Sequence, residues 1–102
     1  MKMRFKDRSI IQLLEKLKVQ LEFENLSIVD YWEADTCAIG LKKDNKLVYI
    51  STYNGVINNK EEYDYDLEIF DNLKYDNSKT IELGRNVTRS KLIQVIKRYF
   101  NH

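Results

Sequence analysis

At 102 residues, with 43% hydrophobic and 32% charged side chains, the sequence reads as one globular domain spanning 1–102, too short for two separate cores. Its single cysteine, Cys37, excludes an intramolecular disulfide and zinc held by paired cysteines, and the apolar stretch from Ile10 to Leu21 is too interrupted by polar residues for a signal peptide or a membrane span, so a cytoplasmic protein is expected. Net charge is only +1 but unevenly spread: residues 1–21 balance to +4, residues 22–76 to −8 and residues 77–102 to +5.

In chain order, Ser9 is a good N-cap and Gln12, three residues on, completes a capping-box pattern. Ile10, Leu13, Leu14, Leu17 and Leu21 then recur at the spacing of one buried helical face, which predicts a helix from about Ile10 to Phe23. Residues 27–33 are rich in β-branched and aromatic side chains and read as a strand. Residues 37–42 and 47–53 form two more, joined by the turn Lys43-Asp44-Asn45-Lys46. Both faces of the second carry substantial side chains, as a central strand would. Residues 54–62 read as a polar loop.

From Tyr63 to Phe70 the alternation is nearly perfect. Tyr63, Tyr65, Leu67 and Ile69 share one face, and Asp64, Asp66 and Glu68 share the other, expected to be solvent-exposed. Thr80 to Leu83 adds a short strand. Thr88 caps a final helix carrying Leu92, Val95, Ile96, Tyr99 and Phe100 on one side and Arg89, Lys91, Lys97 and Arg98 on the other. The expected fold is α+β: a two-layer sandwich in which an antiparallel four- or five-stranded sheet carries the N- and C-terminal helices on one face. Leu14, Leu17, Ile50, Leu67, Ile69 and Ile96 are the expected core.

Little in the sequence is equipped for catalysis. The one histidine is the last residue, Cys37 lies in an apolar strand context that favours a buried thiol, and the three glycines are too scattered for a phosphate loop. No catalytic residue, metal site or cofactor is expected. Asp64, Asp66 and Glu68 would stand about 7 Å apart along a strand, which is poor geometry for a divalent cation. Two binding readings remain beside the plain one of a solvated strand face. The basic terminal helices could rest on phosphates in a small nucleic-acid-binding regulatory module, although the acidic middle opposes this. The acidic, tyrosine-rich strand face suits a basic protein partner, such as an enzyme that itself grips RNA or DNA.

Asp30-Tyr31-Trp32-Glu33-Ala34-Asp35, Cys37-Ala38-Ile39-Gly40-Leu41, Leu47-Val48-Tyr49-Ile50-Ser51-Thr52 and Tyr63-Asp64-Tyr65-Asp66-Leu67-Glu68 resemble small bacterial immunity proteins, the antitoxins of contact-dependent growth inhibition and related polymorphic toxin systems. The resemblance covers under half of the chain. It implies an inhibitor that binds a cognate toxin domain one-to-one, with many such toxins being nucleases with cationic active sites. On this reading Asp30, Trp32, Glu33, Asp35, Tyr63, Asp64, Asp66 and Glu68 meet the toxin, and no membrane or nucleic acid is engaged.

Overall fold

Four apolar side chains spaced three and four apart, Ile10, Leu13, Leu14 and Leu17, form one stripe of a helix. In the structure, a computed structural model that describes residues 6–21, 26–71 and 74–101, this stripe belongs to α1 (Arg8–Gln20) and is buried. The N-cap is Asp7 rather than the expected Ser9. Asp7 Oδ2 accepts the Ser9 backbone N–H at 2.9 Å and the Ser9 hydroxyl at 2.6 Å, bonds that hold the Asp7 carboxyl below its usual range. Asp outcompetes Ser here because its carboxylate accepts both bonds. Phe23, the expected helix end, lies outside the described residues.

Five strands follow in a simple antiparallel meander, β1 (Ser27–Val29), β2 (Ala38–Lys43), β3 (Lys46–Ser51), β4 (Tyr63–Asp71) and β5 (Lys74–Val87), paired in that order. The β2–β3 hairpin turns on Asp44-Asn45, with Asp44 in the left-handed region at φ 54° as a tight hairpin requires. β3 is the central strand, as its two occupied faces imply. β1 is shorter than expected because Asp30 Oδ1 accepts the Trp32 N–H at 3.2 Å and bends the chain away. β5 is far longer than the segment Thr80 to Leu83. It meets β4 through register shifts, including an extra residue near Asn86, itself at φ 54°.

Alternation along these strands sets Ile39, Leu41, Val48, Ile50, Tyr65 and Leu67 on one side. That side is covered by α1 and by α3 (Arg89–Phe100), whose Leu92, Val95, Ile96, Tyr99 and Phe100 join the same buried cluster. This is the two-layer α+β arrangement with both terminal helices on one face. Thr88 caps α3 as expected, accepting the Lys91 N–H. At its other end Lys43 and Lys46, beside the hairpin turn, donate to the Phe100 and Tyr99 carbonyls at 3.1 and 3.0 Å, satisfying carbonyls that helix geometry leaves open. Of the expected core residues, Ile69 is only partly buried. It pairs with Lys46 and Lys79 near that end of the sheet, at the margin of the helix layer.

Segment 54–62, expected as a polar loop, contains a short helix, α2 (Tyr53–Asn58). Gly55 makes this possible: a Cβ there would lie 2.5 Å from the Glu62 carbonyl and 2.7 Å from that of Lys60, so only glycine lets the chain fold back so tightly. Asn59 ends the helix in the left-handed conformation. Among the described residues no helix is long and apolar enough to cross a membrane.

Candidate functional site

The side of the sheet away from the helices carries one row of cross-strand neighbours drawn from every strand: Val29, Gly40, Tyr49, Asp66 and Leu83. Gly40 turns this row into a seat. A Cβ on it would stand 2.9 Å from Leu47 Cδ1, 2.9 Å from Val29 Cγ2 and 3.0 Å from Trp32 Cζ3, so the indole occupies space that any other residue would fill. Trp32 meets the Tyr49 ring edge-on at 4.8 Å, and Tyr31 lies tilted beside it at 5.7 Å. Leu47 is buried under this small second cluster, apart from the main core. Tyr31 is exposed and Trp32 half-buried, leaving an aromatic ridge at one side of a row that ends on the exposed Leu83.

Carboxylates surround the ridge, but they are not equivalent. Glu33 and Asp35 project from loop 30–36 and are exposed. Asp66 is a direct cross-strand neighbour of Tyr49 and is 26% exposed, with Arg85 at 2.9 Å. Glu68 lies one row along β4 and accepts the Ser78 hydroxyl at 2.8 Å. The structure therefore brings the two acidic segments together, one on each side of Tyr49. Burial first, and then the nearby Asp35 and Asp66 carboxylates, hold the Tyr49 phenol above its ordinary value despite its bond to Ser51.

Three residues expected to face a partner are engaged within the fold instead. Asp64 is buried, with only 9% of its surface accessible, because α2 folds over the start of β4 where an open loop was expected. The Asn54 side chain donates to Asp64 at 2.7 Å, and the bulged Asn86 N–H donates to its other oxygen at 2.8 Å. Neutralising Asp64 would thus disturb the fold, contrary to the expectation of a solvated carboxylate. Tyr63 faces the helices and is buried in the core, its hydroxyl donating to Glu61 at 2.7 Å. Asp30 is engaged internally by Lys6 at 2.7 Å, its side chain 16% exposed.

The sequence reading missed one contributor to this face and one exposed apolar patch on α2. Tyr49 hides in a run where both faces are apolar, so nothing marks its face without strand pairing. Tyr53, Val56 and Ile57 occupy one helical face at spacings of three and four and are all exposed, with Gly55 turned inward. They form a small exposed apolar patch, and Val56 also lines the cavity between α1 and α2 on the helix side.

The helix side offers a different picture. A cavity of about 440 Å³ between α1 and α2 is lined by Ser9, Gln12, Lys16, Thr52, Glu61 and Tyr63 among others, and several of its polar groups are bonded to one another. Ser9 and Thr52 share a hydrogen bond of 2.7 Å, and Glu61 accepts from Lys16, Arg89 and Tyr63. The Tyr63 bond, helped by the two cations, lowers the Glu61 carboxyl below its usual range. Arg98 is similarly tied to Glu82 at 2.7 Å. Half of the α3 basic face is therefore used in internal ion pairs. Among the described residues no three His, Cys, Asp or Glu side chains are grouped to hold a metal ion. In comparison with known proteins, no family model, no curated protein and no solved structure matches the chain.

Proposed function

We propose that this chain is a protein-binding inhibitor: an immunity protein that holds a cognate basic toxin domain, in the first instance a nuclease, against the open face of its sheet. The observation that carries the reading is the row across that face, where Trp32 is seated on Gly40 against Tyr49 and flanked by Glu33, Asp35, Asp66 and Glu68. Rigid aromatic anchors at the centre of a charged rim are the composition of a binding hot spot, and the rim charge steers a cationic partner into place. Carboxylates laid over a phosphate-binding cleft would also exclude its substrate by like charge.

A nucleic-acid role for the helices draws less support, since Arg89 and Arg98 already serve Glu61 and Glu82. The test is to read the neighbouring genes for a large toxin-like protein and to co-express the chain with that protein's C-terminal domain. Protected growth, with a one-to-one complex recovered on purification, is expected. Unprotected growth with no complex would refute the reading.

A further inference from the structure

Lys6 belongs to the basic N-terminal run, whose residues look like solvent-facing charge. Its side chain is instead 3% exposed. An ammonium group has three N–H donors and no acceptor, and Lys6 Nζ has three acceptors around it: Asp30 Oδ1 at 2.7 Å, the Asp35 carbonyl at 2.9 Å and the Trp32 carbonyl at 3.2 Å. All three lie in loop 30–36 or at its first residue. The next residue adds a fourth tie, the Asp7 N–H donating to the Thr36 carbonyl at 2.8 Å. Asp7 also caps α1, so the anchor of the loop is continuous with a rigid helix.

Loop 30–36 contains no strand or helix, and it carries Tyr31, Trp32, Glu33 and Asp35. Its own bonds are few: Trp32 N–H to Asp30, Asp35 N–H to the Trp32 carbonyl, Cys37 N–H to the Asp35 carboxylate and Ala38 N–H to the Asp35 carbonyl. Lys6 closes this set by holding both ends and the middle to one point. A buried cation with a single carboxylate and two carbonyls is a costly arrangement to retain for stability alone. It does fix where the indole sits.

We infer that Lys6 is the positioning residue of the binding face, setting loop 30–36 so that Trp32 rests on Gly40 and Asp35 stands, like Asp66, near Tyr49 before any partner arrives. This rests on the function proposed above. The geometry also accounts for the choice of lysine: three bonds converge on one nitrogen, whereas the planar fork of arginine spreads its donors over several atoms.

The experiment follows Trp32, the chain's only tryptophan, in Lys6→Met, Lys6→Arg and the double variant Lys6→Met with Asp30→Asn. The double variant leaves no unpaired carboxylate and so remains informative where Lys6→Met alone fails to fold. Far-UV circular dichroism should show helices and sheet retained. Trp32 emission should shift to the red, its near-UV signal should fall, and acrylamide should quench it more readily. Binding to the inactivated toxin domain against which the wild-type chain is found to protect should weaken by about tenfold, as expected if only a tenth of the molecules hold the competent loop. Lys6→Arg should behave like the methionine variants. Unchanged Trp32 emission and quenching in the double variant would overturn the inference, as would altered emission with unchanged toxin affinity. Wild-type chain that fails to bind toxin, with the Trp32 changes intact, would refute the proposed function and leave Lys6 a positioner of the loop alone.

Discussion

Leu67→Ala is expected to lower the free energy of unfolding by about 2–5 kcal/mol, the cost of removing a buried leucine and leaving a cavity. Leu67 is 1% exposed. It lies in the cross-strand row Ile28, Leu41, Val48, Leu67 and Glu82, under the helix layer. Close packing on both sides leaves little room for neighbours to collapse into the space. Urea denaturation of wild type and variant measures the difference. A loss under about 1 kcal/mol would mean that the helices do not cover this face as described. Ile69→Ala, two residues along the same strand, should cost clearly less, because that side chain is only partly buried.

The second large effect falls on binding. Trp32→Ala should weaken the complex with the toxin domain by about 2–4 kcal/mol, the usual range for a central aromatic anchor. The indole sits on the side of the sheet away from the main core, so folding should suffer less than in Leu67→Ala. Its removal would still uncover Leu47, Val29 and the Gly40 backbone. Titration calorimetry against the inactivated toxin domain, alongside a denaturation curve for each chain, separates the two contributions. Equal binding by wild type and variant would mean that the ridge is merely a lid on Leu47.

The layered fold was legible because its signals are local and periodic. The stripe from Ile10 to Leu17, the alternation from Tyr63 to Leu67 and the Thr88 cap each describe a single element, and each element has one apolar face to bury. The candidate site was legible in part, because its residues come from all five strands and a loop, and their meeting depends on pairing. Trp32, Glu33, Asp35, Asp66 and Glu68 were recognised by type. Their arrangement around Tyr49 follows from the β3–β4 register, which no single segment contains. Asp64 was misread for a related reason. Its alternation with Asp66 and Glu68 is real, but a helix built on Gly55 folds Asn54 onto it, and the Gly-containing polar run 54–62 looked like a turn. Lys6 escaped notice because a lone lysine in a basic run carries no mark of burial, and its three acceptors lie at least 24 positions away.

The central claim, that the acidic open face receives a cationic protein, is tested most directly by stopped-flow association rates. The chains compared are wild type and the triple variant Glu33→Gln, Asp35→Asn and Glu68→Gln, at low and high salt. These three carboxylates are at least partly accessible, and the amide oxygens of Asn and Gln can still accept from the Cys37 N–H and the Ser78 hydroxyl, so folding should be nearly unchanged. The account predicts association slower by about tenfold or more at low salt, with the difference shrinking as salt screens the steering field. Association at the wild-type rate, with the same salt dependence, would contradict it and leave the face a solvated surface.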